Sequence, residues 1–191
     1  MGRIMSLLTV ILLMKGSALA QVHVKGSRFI DLTVGTVDGF RFKPTQDNSG
    51  YWASIGTGRY NKMENSWRWQ LNILQKNYAI PEGLNGNGKA IPVRYYTISF
   101  GHGYKLFVSK RRVIYCNVLP QILAGYESIN NNRAAIDNYH ILNPSGFRAG
   151  AKVGIELEVE NLLIIGSQQW IPNSGTKNFH TQLGIGYRFN R

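Results

Sequence analysis

Apolar and polar residues alternate along much of this chain, most regularly near its end. From Phe147 to Val159 the odd positions are Phe147, Ala149, Ala151, Val153, Ile155, Leu157 and Val159. The even ones are Arg148, Gly150, Lys152, Gly154, Glu156 and Glu158. Phe179 to Asn190 repeats the pattern, with Leu183, Ile185, Tyr187 and Phe189 on one parity and His180, Gln182, Gly184, Gly186 and Arg188 on the other. Successive side chains of a strand point to opposite faces, so period two predicts strands with one apolar face and one polar or tightly packed face. Earlier segments follow the same rule. Ile30, Leu32 and Val34 oppose Asp31, Thr33 and Gly35, and Trp67, Trp69, Leu71 and Ile73 oppose Arg68, Gln70 and Asn72. Eight strands are predicted: Arg28–Gly35, Tyr51–Tyr60, Ser66–Tyr78, Pro92–Phe107, Val113–Tyr126, Phe147–Val159, Leu162–Ile171 and Phe179–Asn190. Alternation is weaker in the fourth and fifth.

The connections between these segments alternate in length. Asp38–Ser49, Ala79–Ile91 and Glu127–Ser145 are long, whereas Asn61–Asn65, Ser109–Arg112 and Glu160-Asn161 are short; Pro172–Lys177 is of medium length. An even strand count with alternating short turns and long loops is the layout of outer-membrane barrels. Aromatic residues near the predicted strand ends, among them Trp52, Tyr60, Trp67, Tyr104, Tyr115, Tyr126, Trp170 and Phe179, would supply two interfacial girdles. Alternation alone also fits a soluble β-sandwich or lipocalin-like barrel with the apolar face inward. The glycines and charges on the polar face favour a narrow polar lumen, and eight strands leave an interior that side chains can fill. The fold class read from the pattern is therefore all-β: an eight-stranded, antiparallel, up-and-down transmembrane β-barrel of the outer-membrane type.

Composition narrows the rest. No stretch approaches the roughly 18 apolar residues that a spanning helix needs. Apolar content of 43% is too high for a disordered chain. Arg3, the apolar run Ile4–Met14 and Ala18-Leu19-Ala20 read as a secretory signal over residues 1–20, with cleavage expected between Ala20 and Gln21 and a barrel domain over 21–191. The net charge is +12, of which Arg3 and Lys15 belong to the leader, leaving +10 for the mature chain. Such a charge raises nucleic acid as a partner, yet the basic residues are dispersed and no aromatic-interleaved basic platform occurs. Direct nucleic-acid binding is not expected. One tight basic run exists, Lys110-Arg111-Arg112, in a predicted short turn near lipid headgroups or partner proteins.

The polar faces direct Arg68, Lys76, Arg148, Lys152, Glu156, Glu158 and Arg188 toward one space. Buried charges must pair, so these residues predict an internal salt-bridge network filling the lumen. Candidate catalytic chemistry is thin. A lipid-modifying barrel enzyme could place a base at His180, but position 182, where a nucleophilic Ser would be needed, is Gln182. His23, His102 and His140 show no metal-ligand spacing, and the single Cys116 excludes a disulfide framework or Cys-based zinc site. No catalytic residue, metal, cofactor or small-molecule substrate is expected.

Several segments resemble one family. They are Val34–Phe40 (VGTVDGF), Tyr60–Tyr78 (YNKMENSWRWQLNILQKNY), Ile91–Tyr104 (IPVRYYTISFGHGY), Leu123–Ser128 (LAGYES), Gly154–Glu160 (GIELEVE) and Asn178–Phe189 (NFHTQLGIGYRF). In this order they resemble the TraO family of conjugative-transposon transfer proteins from Bacteroidetes; Gln168–Thr176 departs from its pattern. The resemblance implies a part in conjugative DNA transfer, beside other transfer proteins of a type IV secretion-like apparatus. Together with the strand pattern it points to a structural outer-membrane component. Its expected partners are transfer proteins and outer-membrane lipid. External contacts are expected from Glu127–Ser145 and Ala79–Ile91. Two other readings share the physical features: a general small outer-membrane barrel for adhesion or envelope stability, and a lipid-active barrel enzyme using His180.

Overall fold

The computed structural model describes residues 23–40, 49–61, 64–79, 90–129, 145–175 and 177–190. The expected leader with its expected cleavage between Ala20 and Gln21, His140 and most of the two longest loops lie outside the described residues. Eight strands form one closed sheet: β1 (Arg28–Val37), β2 (Gly50–Tyr60), β3 (Ser66–Ala79), β4 (Ala90–Val108), β5 (Ile114–Ile129), β6 (Gly146–Val159), β7 (Leu162–Trp170) and β8 (Phe179–Asn190). Each pairs antiparallel with its sequence neighbours, and β1 pairs with β8 (Ile30↔Phe189, Val34↔Ile185) to close the barrel. Closure leaves no unpaired sheet edge, the condition for strands to cross a hydrocarbon layer.

The expected strands are all present, with small differences at their ends. β1 continues through Thr36 and Val37, which still pair with Tyr51 and Gly50. β5 runs on to Ile129 because Glu127 remains in register with both Tyr95 and Gly146. It starts at Ile114 rather than Val113, whose amide donates to the Ser109 hydroxyl at 3.1 Å. A register shift between Lys105 and Phe107 breaks the alternation at the end of β4 and leaves both Leu106 and Phe107 exposed.

The alternation resolves with its apolar face outward. Val153, Ile155, Leu183 and Ile185 are each at least 42% exposed, as are Trp67, Trp69, Leu71 and Ile73. Arg68, Glu156, Glu158, Gln182 and Arg188 are buried inside. A continuous apolar exterior around a charged interior suits lipid and would be unfavourable in water. The weak alternation of β4 and β5 has a physical cause. Their inward positions include Val93, Tyr95, Leu119, Leu123 and Ile129, so both faces of these strands are apolar.

Three aromatics expected in the girdles turn inward instead. Trp52, Tyr60 and Tyr115 are at most 3% exposed. Trp52 and Tyr60 share the parity of Ser54, Gly56 and Gly58, which face the lumen. Glycines make the space for such rings. A Cβ on Gly184 would lie 2.7 Å from the Trp52 ring, and one on Gly58 would lie 2.2 Å from the Phe29 ring.

Candidate functional site

The lumen is organised in two polar clusters at different heights. Toward the short-turn end, alternation on β1, β3, β6 and β8 brings together Asp31, Arg68, Glu156, Glu158 and Arg188. Arg68 donates through Nη1 to Glu156 Oε2 at 2.6 Å and through Nη2 to Oε1 at 3.1 Å. Arg188 sits at the centre. Its Nε donates to Asp31 Oδ1 at 2.7 Å, its Nη2 to Asp31 Oδ2 at 3.0 Å and to Glu156 Oε1 at 2.9 Å, and its Nη1 to Glu158. Both guanidiniums also lie over the Phe29 ring, at 5.1 and 4.4 Å from its centroid. Paired guanidinium–carboxylate geometry of this kind offsets the large cost of holding charges out of water.

Below this network the segment before β1 caps the barrel. His23 is sandwiched between Tyr60 and Tyr115, with ring centroids 4.1 and 3.7 Å away, and its Nε2 is 3.0 Å from Glu158 Oε1. The middle of the lumen is filled by amides and hydroxyls. Gln121 Nε2 donates to Gln70 at 2.9 Å, and Gln182 Nε2 to Gln169 at 2.9 Å. A void of only about 10 Å³ separates Trp52, Arg68, Gln121 and Lys152. That is about the volume of one water probe, so the lumen between these residues is packed rather than open.

At the long-loop end a second cluster centres on Asp38, which follows β1 with φ of 53°. Its Oδ1 accepts from the Thr181 amide at 2.8 Å, and its Oδ2 from Lys76 Nζ at 3.0 Å. Burial alone would raise the Asp38 carboxyl pKa. The His180 hydrogen bond, the Lys76 charge and the Thr181 amide outweigh it and hold the group well below the usual carboxylate range. Nearby, Glu127 takes hydrogen bonds from Ser174 Oγ at 2.8 Å and from the Gly175 amide, and Arg148 Nε donates to it at 2.9 Å.

The seven charged residues expected in one lumen network therefore occupy different places. Arg68, Glu156, Glu158 and Arg188 meet. Lys76 belongs to the Asp38 cluster, and Arg148 is half-buried on Glu127. Lys152 meets no carboxylate among the described residues; its Nζ lies 5.4 Å over the Trp52 ring. Asp31, His23, Tyr60 and Tyr115 complete the lower site and were not among the expected members. Asp31 had a signal, as an acid on the polar face of β1. His23 had none, because it precedes the alternating pattern.

His180 Nδ1 faces Asp38 Oδ2 at 3.3 Å and Lys76 Nζ at 3.1 Å, while its Nε2 is buried without a hydrogen-bond partner among the described residues. Gln182, at the position where a barrel lipase would need Ser, accepts from Ser167 at 3.1 Å. Lys110, Arg111 and Arg112 are exposed in the turn after β4, and Arg112 Nη1 is 3.5 Å from Glu64.

A closed eight-stranded barrel with an apolar exterior and a filled, charged lumen defines the outer-membrane β-barrel class. Among solved structures, Neisserial surface protein A has a similar fold, with 13% identity over 85% of this chain and 94% of that one, at a TM-score of 0.51. The Yersinia pestis attachment invasion locus protein Ail, in a crystal with the heparin analogue sucrose octasulfate, is 15% identical over 87% of this chain and 100% of its own, at a TM-score of 0.44. A search of curated proteins by sequence gave no significant match. The family model described as conjugative transposon protein TraO matches residues 24–191. The chain belongs to the TraO family.

Proposed function

We propose that this protein is a structural outer-membrane component of a conjugative-transposon transfer apparatus, resembling a type IV secretion system. In this reading it is exported with cleavage between Ala20 and Gln21, and it acts through its surfaces rather than through a pore. The observation that carries the reading is the family match over residues 24–191, on a barrel whose described interior is filled by side chains. Eight strands enclose about the width of packed side chains, so a DNA strand has no route through them. Transfer through a larger assembly, to which this barrel contributes contacts, is the consistent alternative.

Short turns and the start of β1 lie at one end, which in outer-membrane barrels faces the periplasm. In this reading Lys110, Arg111 and Arg112 face the periplasm, on a hairpin that also exposes Leu106, Phe107 and Ile114. Cations beside apolar side chains suit contact with an acidic face of another transfer protein. The long loops at the opposite end would meet the cell exterior. The reading assigns no catalytic residue, cofactor or small-molecule substrate.

Mating assays with an in-frame deletion of the gene test it. Transfer frequency should fall by orders of magnitude and return when the full chain is supplied in trans. Unchanged transfer would favour a general envelope barrel and remove the conjugation role.

A further inference from the structure

Two arginines face each other across the outside of the barrel. Arg28 and Arg59 are register partners of β1 and β2, both on the outward parity that carries Ile30, Leu32 and Ile55. Directly opposed residues of an antiparallel pair hold their Cβ atoms about 4.5–5.5 Å apart, where like charges repel. Neither guanidinium meets a carboxylate among the described residues. Arg59 is further fixed by donating Nε to the Gly26 carbonyl at 3.1 Å. The next residue in this row is Trp67, the register partner of Arg59, which is 50% exposed. Arginine and tryptophan at one level mark the headgroup zone of a bilayer.

Immediately above the pair, toward the middle of the barrel, the outer wall is grooved. Ile30, Ile55, Thr57, Trp69, Leu71 and Ile98 line a hollow of about 270 Å³. The one hydroxyl among these six residues, on Thr57, is turned into the wall to donate to the Phe29 carbonyl at 3.1 Å. Two opposed cationic residues therefore flank one end of an apolar hollow, in the order in which a phosphate headgroup and its acyl chain are joined.

We propose that this face is a binding site for an anionic glycerophospholipid of the periplasmic leaflet. Its phosphate lies between Arg28 and Arg59, and one acyl chain lies in the hollow along Trp69. The lipid relieves the repulsion within the arginine pair. This inference rests on the outer-membrane reading and on the periplasmic placement of the short turns.

The test uses the full mature protein in phosphatidylcholine vesicles carrying a minor fraction of lipid with brominated acyl chains. Brominated phosphatidylglycerol should quench tryptophan emission more than the same fraction of brominated phosphatidylcholine. Arg28→Gln with Arg59→Gln should abolish that preference. Each cation near a membrane surface contributes about a fivefold preference for anionic lipid, so the pair should be worth roughly 30-fold. Arg28→Lys with Arg59→Lys keeps the charge and should keep most of the preference, which covers the case in which the Gln variant does not fold. Arg94→Gln, an outward arginine at the other end of the barrel, should leave the preference intact. Equal quenching by the two lipids in the wild type overturns the site, as does loss of preference in Arg94→Gln. Abolition by excess inorganic phosphate would make the pair a free-phosphate site and overturn the lipid assignment. Absence of quenching by either lipid would remove the membrane placement itself, a different failure from equal quenching.

Discussion

Arg188 is the residue on which the lower lumen depends. It contacts Asp31, Glu156 and Glu158, and it is 1% exposed. Replacing it with Met leaves three buried carboxylates with Arg68 as their main counter-charge, and breaking a buried pair in this way costs about 3–5 kcal/mol. We predict that Arg188→Met lowers the urea midpoint of the vesicle-inserted protein accordingly, whereas exposed Arg111→Met leaves it within experimental error. Residue parity was legible in the sequence, and so were most of the charges that meet here. Height within the barrel was less legible. Lys76 shares the inward parity of Arg68, yet the two lie eight residues apart on one strand, about 27 Å at ~3.4 Å per residue. That distance puts Lys76 beside Asp38 instead. His23 was invisible because its place is set by stacking on Tyr60 and Tyr115, residues from distant strands.

At the scale of the strand, alternation marked the elements and separated an apolar from a polar face, while the closed barrel showed that the apolar face points outward. Alternation held best where interior residues were charged, as in β6 and β8, and least where they were apolar, as in β4 and β5. Glycines on the polar parity, such as Gly58 and Gly184, gave no hint of which ring each accommodates, since that depends on the neighbouring strand. The inward turn of Trp52 follows from parity, but aromatic position near a strand end pointed the other way. The lipid-facing assignment makes a quantitative prediction on β6. Ile155 is 57% exposed on the apolar exterior, and Lys there should destabilise by about 2–4 kcal/mol if the site lies near the bilayer midplane. Urea titration in vesicles should show this loss. An unchanged midpoint would mean that this position does not contact hydrocarbon.

For the whole molecule, closure of β1 on β8, a side-chain-filled lumen and family membership describe one object. It is a closed barrel whose described interior is packed with side chains. Overall fold was accessible from the sequence because a two-residue period and the alternation of turn lengths are properties of the chain itself. The proposed role in transfer was accessible only through family motifs, since the physical features are shared with barrels of other functions. We propose that this barrel serves conjugation through contacts at its periplasmic rim. The decisive experiment supplies a deletion strain with the Lys110→Gln, Arg111→Gln, Arg112→Gln variant. The variant is first shown to reach the outer membrane and to migrate differently in boiled and unboiled gels. This folded variant should restore transfer far less than the wild-type chain. Full restoration of mating frequency would contradict the proposal.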